Sequence, residues 1–257
     1  MTVPSINLVP LTSGGSGIPF LVGPSLGTRV AACWAPTVPL LADRHPVFGW
    51  DLPGHGVSPA VTDGFTMDEL AEGVERAVDA VGLGRFAVAG VSLGGLASLA
   101  LALRMPSRVV SLAMLCSLPR IGTAEGWADR AATVRASGTP SLVQGSASRW
   151  FAPGFIEREP TVSSGLLRDL MDVDDESYAR CVEVLGATDL RSSVARLSVP
   201  FTLIAGAEDA VIPLAAAEEA VASASAGRLE VLPGVAHQAP VEDPDSVARI
   251  LLSEVAL

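Results

Sequence analysis

The sequence predicts a single α/β domain with a mostly parallel central sheet, helices on both faces and a helical insertion. Three observations support this. Apolar runs of strand length alternate with helix-like segments. Hydrophobic residues make up 49% of the chain and charged residues 18%, which suits strands buried on both faces. Between residues 119 and 187 there is no clear apolar run of strand length.

The first part of the chain alternates regularly between strand and helix patterns. Strands are predicted at 6–11, 18–24, 45–51 and 85–91, with a single helix at 28–45 and others at 66–82 and 96–105. Thr66 followed by Glu69 is a capping-box pattern that begins a helix at Met67, and Gly82 is a suitable stop. The segment 96–105 is apolar nearly all round, which predicts a buried helix that ends at Pro106.

After a predicted strand at 108–116 the pattern changes. Residues 119–187 contain helix-like pieces broken by glycine and proline, with no clear strand run. The alternation then returns with strands at 198–206 and 227–234 and helices at 213–223 and 245–255. We therefore expect residues 1–118 and 188–257 to form the core domain and residues 119–187 to form an inserted helical cap.

The charge balance limits the classes of partner. All 17 basic residues are arginine, and 28 carboxylates bring the formal net charge to −11. Nucleic acid and anionic membranes both need a basic face, so neither is an expected partner. A small anionic substrate would need local positive charge against the field of the protein itself. The sequence carries no signal for an oligomeric state.

Compartment signals agree with a cytoplasmic location. The longest apolar runs are about ten residues, short of the roughly 20 that a membrane span needs. The N-terminus lacks a basic region followed by an apolar one. Cys33, Cys116 and Cys181 are far apart and have no CxxC spacing. We interpret them as apolar filler in a reducing compartment, with a metal site or a disulfide as the alternative.

The segment GVSLGG, residues 90–95, lies where a predicted strand ends and a predicted helix begins. A serine in such a tight turn is strained and needs small residues two positions before and after it, which Gly90 and Gly94 provide. The turn would expose the Ser92 hydroxyl and place the N–H of Leu93 where it can stabilise an oxyanion. The alternative is a serine that only shapes the turn.

A serine nucleophile needs a base and a group that orients the base. Of the three histidines, His45 and His55 lie near an early strand, whereas His237 follows a late strand. The hydrolase order of serine, acid and histidine therefore favours His237 as base. Asp209, in the loop after strand 198–206, is the preferred acid, with neighbouring Glu208 directed elsewhere. A solvated loop histidine and aspartate are the alternative.

The second oxyanion donor is expected in the loop GPSLGT, after an early central strand. Gly27 lets the backbone turn, and the N–H of Leu26 is the natural partner of the N–H of Leu93. The alternative is an ordinary turn.

The predicted insertion carries two pairs of aromatic and basic residues. Trp127 and Arg130, three apart on a predicted helix, share one face and would supply a ring wall and a carboxylate clamp. Arg149 and Trp150 repeat the same residue types as further substrate contacts. Alternatively, Trp127 packs against the main domain while Arg130 pairs with a surface carboxylate.

Several segments resemble the α/β-hydrolase superfamily, and in particular the 3-oxoadipate enol-lactonases. They are SLGT (25–28), GVSLGG (90–95), IGTAEGWADRAATVRASG (121–138), RWFAP (149–153), YARCVEVLGATDLR (178–191) and IAGAEDAVIP (204–213). GxSxG and the residue order belong to the whole superfamily, whereas the stretch 121–138 with its downstream RWF is more selective. The resemblance implies an α/β-hydrolase fold with a helical cap that contacts substrate.

The same resemblance implies a carboxylic-ester hydrolase that opens the enol-lactone of 3-oxoadipate during aromatic catabolism, through an acyl-enzyme on Ser92. No metal or organic cofactor is implied. Three residues depart from the family pattern. Pro53 stands where relatives usually carry arginine, and Gln238 and Ala239 follow the base, where one or the other is expected to alter the pocket beside His237. These departures leave a related lactone or ester as an alternative substrate.

Three alternatives remain open at this point. A carboxylesterase or a C–C bond hydrolase of related ring-cleavage products would use the same triad. A hydrolase-fold binding protein would keep the pocket without turnover. A dehalogenase or epoxide hydrolase is disfavoured, because those enzymes need aspartate where Ser92 stands.

Overall fold

The computed structural model describes residues 2–12, 14–224 and 226–255. In this part of the chain the strands form one sheet of order β1-β3-β2-β4-β5-β6-β7. Their bounds are β1 Leu8–Pro10, β2 Phe20–Gly23, β3 Val47–Trp50, β4 Phe86–Val91, β5 Val109–Leu115, β6 Phe201–Gly206 and β7 Gly227–Leu232. Strand β1 runs antiparallel to β3, and the other neighbouring pairs are parallel. The predicted α/β architecture with a mostly parallel sheet is confirmed.

The described residues also form helices before, within and after the insertion. Before the insertion they are α1 Val30–Cys33, α2 Val38–Ala42, α3 Met67–Ala80 and α4 Leu93–Arg104. Within it they are α5 Ala124–Ser137, α6 Val143–Trp150, α7 Phe155–Arg158, α8 Pro160–Asp172 and α9 Asp175–Ala187. After it they are α10 Leu214–Ala222, α11 Ala239–Glu242 and α12 Pro244–Glu254. Every residue of β4 and β6 is buried, which explains why these strands read as continuous apolar runs.

The predicted start and stop of α3 are confirmed. The Thr66 hydroxyl accepts the Glu69 N–H at 3.2 Å, and the Glu69 carboxylate accepts the Thr66 N–H at 2.8 Å. This reciprocal pair satisfies two N–H groups that the first turn of a helix leaves free. Gly82 follows the helix with φ of 65°, a conformation that glycine adopts without a Cβ penalty.

The prediction of one helix over 28–45 is wrong. The structure has two short helices there, α1 and α2, joined by a turn at 34–37. Pro36 lies in that turn, and a proline inside a helix removes an N–H donor and clashes with the preceding turn. Pro39 lies in the first turn of α2, where a missing N–H costs nothing.

The segment between β5 and β6 carries α5 to α9 and, among its described residues, no strand. Helix α5 packs along α9. The buried Asp169 carboxylate of α8 accepts the Arg29 backbone N–H at 3.1 Å and the Arg29 Nε–H at 2.7 Å. Because Arg29 immediately precedes α1, this contact fastens the insertion to the core. The division at 118/119 and 187/188 into two folding units stays a prediction.

Two compositional observations have structural counterparts. Within the described ranges, no helix combines the length and apolar composition that crossing a membrane requires. Cys33, Cys116 and Cys181 are buried free thiols, and burial raises the pKa of all three, so they pack as apolar residues.

Candidate active site

Ser92 lies between the end of β4 and the start of α4, in a strained conformation with φ 54° and ψ −118°. The turn is very tight. A Cβ added to Gly90 would lie 2.2 Å from the Gly94 carbonyl oxygen, and one added to Gly94 would lie 2.4 Å from that of Pro24. No side chain fits at either glycine without a backbone shift. The strained serine and its two flanking glycines therefore have the geometry of a nucleophile turn.

Asp209, in the loop after β6, is held by three hydrogen bonds. One oxygen accepts the N–H groups of Val211 and Ile212 at 2.7 and 3.1 Å, and the other lies 2.9 Å from Nδ1 of His237. A carboxylate only accepts here, so Nδ1 carries the proton and Nε2 of the neutral ring is free to act as a base. The side chain of Glu208 is exposed, with no role in this arrangement.

Ser92 and His237 line one cavity of about 230 Å³. Its lining residues are Ser25, Leu26, Ser92, Trp127, Arg130, Arg149, Trp150, Tyr178, Leu185, Val211 and His237. The described residues contain no direct Ser92–His237 hydrogen bond, and such bonds are often long in enzymes without substrate. The structure thus brings the predicted nucleophile, base and insertion residues to a single cavity.

The loop with Leu26 lies between β2 and α1, beside the start of α4. Gly94 donates its N–H to the Pro24 carbonyl at 3.1 Å, which holds the loop against the helix. Gly27 has φ of 86°, as its predicted turning role requires. Across the described chain, the N–H groups of Leu26 and Leu93 have no hydrogen-bond partner. The N–H of Leu93 also lies at the positive end of the α4 dipole, so the two donors suit an oxyanion.

His55 forms a hydrogen bond to this loop. Its Nε2 accepts the Gly27 N–H at 3.1 Å, and its Nδ1–H donates to the Pro53 carbonyl at 2.8 Å. Burial lowers the pKa of His55 to about 4, so the ring is neutral at physiological pH. The sequence placed His55 only at an early turn and gave it no role.

The protein is expected to lose stability in mild acid because of His55. Its pKa is about 4 when folded, against an ordinary 6.5, so the unfolded chain binds the proton first as the pH falls. The neutral His55 ring makes its full contribution to the free energy of unfolding above about pH 6.5. That contribution is lost progressively toward pH 4, by about 3 kcal/mol. Urea unfolding at pH 7 and pH 4.5 should give a larger decrease for the wild type than for His55→Gln. Equal decreases would contradict the buried neutral ring.

Arg130 and Arg149 line the cavity together with Ser92 and His237. Arg130 donates its Nε–H to the Tyr178 hydroxyl at 2.9 Å, rather than to a surface carboxylate. Neither arginine forms an ion pair with the described carboxylates. Burial lowers the pKa of Arg149, and the nearby Arg130 cation lowers it further. Two unpaired cations in a protein of net charge −11 make this cavity suitable for an anion.

The tryptophans take different positions in the wall. Trp127 donates its ring N–H to the Ile121 carbonyl at 2.6 Å and is half-buried. Trp150 is buried, and its carbonyl accepts the His237 N–H at 3.1 Å. Trp127, Arg130 and Arg149 also line a second, outer cavity of about 500 Å³ on the insertion. These three side chains therefore form the boundary between the outer cavity and the site.

The expectation that Gln238 or Ala239 alters the pocket stays a prediction. Neither is among the described residues that line the cavity. Both are fully buried, and Gln238 accepts a weak hydrogen bond from the Cys33 thiol at 3.7 Å. The chain enters α11 at Ala239, so the Gln238 side chain is directed into the core instead of the site. Pro53 does not line the cavity either, and its carbonyl binds His55.

Glu242 has a role that sequence reasoning missed. One of its oxygens accepts the N–H groups of Ala236 and Gln238, both at 3.1 Å, and the other accepts the Ala152 N–H at 2.7 Å. Burial raises the pKa of this carboxyl. The contacts hold the backbone on both sides of His237 and connect it to the insertion. No local pattern distinguishes this glutamate from a surface residue.

Cys116, Asp209 and His237 are the described group with spacing for a metal, since their ligand atoms lie within 4.8 Å of one another. A thiolate, carboxylate and imidazole set is of the zinc type. However, His237 and Asp209 already bind each other. Burial also raises the pKa of the Cys116 thiol well above its usual value, whereas a metal needs the thiolate. The trio fits a metal poorly.

Comparisons with known proteins agree with this geometry. A profile described as the alpha/beta hydrolase family matches residues 15–250. The chain is 32% identical over 247 residues to 3-oxoadipate enol-lactonase 2 of Acinetobacter baylyi, covering 96% of this chain and 92% of that protein. It is 30% identical to a protein of Azorhizobium caulinodans provisionally named as the carbamate hydrolase RutD, covering 77% and 76%. The crystal structure of the enol-lactonase from Burkholderia xenovorans LB400 matches with a TM-score of 0.92 at 29% identity, covering 98% and 96%.

Proposed function

The chain belongs to the alpha/beta hydrolase family, and from that premise we propose that it hydrolyses the enol-lactone of 3-oxoadipate, a five-membered lactone with a carboxymethyl group. The observation that carries the proposal is the placement of Arg130 and Arg149, unpaired with any described carboxylate, in the cavity of Ser92 and His237. Partly buried cations that no described carboxylate pairs with favour a carboxylated substrate. The names of the relatives support the lactone.

In the first half-reaction, His237 Nε2 takes the proton of the Ser92 hydroxyl while its oxygen attacks the lactone carbonyl. The carbonyl oxygen becomes an oxyanion, which accepts hydrogen bonds from the N–H groups of Leu26 and Leu93. Asp209 keeps the proton on Nδ1 and stabilises the imidazolium without accepting that proton.

Collapse of the intermediate breaks the ring C–O bond and expels an enolate, which takes up a proton and becomes a ketone. The acyl group remains as an ester on Ser92. Water, deprotonated by His237, then attacks this ester and releases a carboxylate, so that one water is consumed for each ring opened. An enolate is a good leaving group, so a single histidine suffices as acid and base.

The dimensions of the site agree with a small acid. Its volume of about 230 Å³ is below the roughly 300–1,000 Å³ typical of pockets for drug-sized ligands. In this proposal, residues 119–187 act as the substrate-contacting cap. A cytoplasmic location and a role in aromatic catabolism belong to the same proposal.

Arg130→Ala is expected to reduce kcat/KM more for the carboxylated lactone than for a neutral ester. The difference should correspond to about 1.5–3 kcal/mol, the typical value of a charge-assisted hydrogen bond. Steady-state kinetics on both substrates measure it. Arg135→Ala is a matched control, because Arg135 lies on the same helix but pairs with Glu176 and Glu183 outside the cavity. Equal losses on the two substrates would contradict a carboxylate clamp.

A substrate panel tests the proposed reaction itself. The wild type should hydrolyse the enol-lactone with a higher kcat/KM than p-nitrophenyl acetate or a C–C ring-cleavage product. Equal or better turnover of the simple ester would favour a carboxylesterase instead. A serine-reactive phosphonate should label Ser92, and an intact protein that resists labelling would favour a binding protein.

A further inference from the structure

His55 is a buried histidine that the reaction above does not use. It is 1% exposed, and both of its ring nitrogens are engaged. Because the Pro53 carbonyl can only accept, Nδ1 must carry the proton. Nε2 is then an acceptor, and it receives the N–H of Gly27. Gly27 directly follows Leu26, so the ring holds the peptide next to the proposed oxyanion donor.

The His55 ring also contacts the insertion. The His55 ring stacks on Tyr178 of α9, with centroids 6.3 Å apart and planes at 21°. Tyr178 is fully buried, and its hydroxyl accepts the Nε–H of Arg130. The Arg130 guanidinium carbon also lies 5.7 Å from the centre of the tyrosine ring. A continuous chain of contacts therefore joins Gly27 to Arg130.

The turn that carries His55 is itself fastened to α9. The Gly54 carbonyl accepts the Asp174 N–H at 3.2 Å, and the Ser177 hydroxyl accepts the Val61 N–H at 2.9 Å. A Cβ on Gly54 would lie 2.2 Å from the Cβ of Ser177. Core turn and insertion helix are thus in close contact, which leaves the His55 ring little freedom to shift.

We propose that His55 is a positioning residue that sets the direction of the Leu26 N–H through Gly27 and, through Tyr178, fixes that donor relative to Arg130. The inference rests on the proposed function, since it takes Leu26 as oxyanion donor and Arg130 as carboxylate anchor. Its consequence is geometric. The Leu26 N–H holds the reacting carbonyl, and Arg130 holds the substrate carboxylate. His55 and Tyr178 keep these two groups at a constant separation.

The first test replaces the acceptor. His55→Leu should lower kcat for p-nitrophenyl acetate and the rate of Ser92 phosphonylation by about 10- to 100-fold, less than the roughly 10²- to 10³-fold loss from removing an oxyanion donor itself, with KM within about two-fold. His55→Gln, which keeps an acceptor and a donor, should recover most of the rate. His45→Leu is the matched control, because His45 donates to the Ile18 carbonyl outside the site. A His55→Leu rate within two-fold of the wild type, or a loss that glutamine does not reduce, overturns the proposal.

A second measurement does not depend on activity or on a stable variant. In uniformly 15N-labelled wild-type protein at pH 7, the His55 ring should have a protonated Nδ1 and an unprotonated Nε2. The Gly27 amide should show a coupling to Nε2 across the hydrogen bond. The opposite tautomer would overturn the proposal.

The link to Arg130 has its own test. Tyr178→Phe removes the acceptor of Arg130, so it should raise KM for the carboxylated lactone, and its effect on kcat/KM should be non-additive with that of His55→Gln. Strict additivity overturns the link. If the wild type hydrolyses the neutral ester but not the enol-lactone, the proposed substrate fails while the result for His55 on the ester stands.

Discussion

Ser92→Ala is expected to lower kcat for the enol-lactone by a factor on the order of 10⁵, because a triad without its nucleophile loses almost all of its catalysis. The substitution should remove the hydroxyl without disturbing the turn. Ser92 is held by backbone contacts, with its N–H donated to the Leu115 carbonyl at 2.9 Å, and alanine preserves them. Progress curves for the lactone over hours would measure the residual rate.

Two controls complete that experiment. Ser223→Ala changes a serine that directly follows α10, donates its hydroxyl to the Ala220 carbonyl and is not among the residues that line the cavity, so it should leave kcat unchanged. The Ser92→Ala protein should still bind the lactone in a calorimetric titration. Residual activity above about 1% of wild type would exclude Ser92 as the nucleophile.

Asp209→Asn is expected to reduce kcat by about 10³- to 10⁴-fold with little change in stability. Asparagine keeps a carbonyl oxygen for the N–H groups of Val211 and Ile212. Its amide N–H₂ would face Nδ1 of His237 and favour the tautomer with the proton on Nε2, which cannot accept the proton of serine. Steady-state kinetics with thermal unfolding as a check would measure both effects.

Glu208→Gln serves as the matched control for that substitution. Glu208 is the adjacent acid but is exposed, so its neutralisation should change kcat by less than about two-fold, the level of a surface charge. Equal losses from Glu208→Gln and Asp209→Asn would mean that Asp209 does not orient His237.

The elements with strong local signals were predictable from the sequence. The glycine spacing around Ser92 predicted the tight turn because only small residues fit there, and the close approach of Gly90 to Gly94 is the physical reason. The capping box at Thr66 was equally local. The order of Asp209 and His237 after Ser92 pointed to residues that the structure brings to one site.

Contacts between distant segments were not predictable. Glu242 accepts the N–H of Ala152 and His55 that of Gly27, both from distant parts of the chain, and an isolated glutamate or histidine carries no pattern that reveals such partners. The break at Pro36 was a missed local signal, since proline inside a helical pattern ends the helix.

The fastening of the insertion has a consequence for substrate traffic. Arg29 binds Asp169, Glu242 binds the Ala152 N–H, and the His237 N–H binds the Trp150 carbonyl. Moving the whole insertion away from the core as a rigid body would break all three hydrogen bonds together and would displace His237, the proposed base. We therefore expect lactone and product to pass through the boundary between the outer cavity and the site, which Trp127, Arg130 and Arg149 form. Rotation of these side chains would open the passage while the backbone of the insertion stays in place.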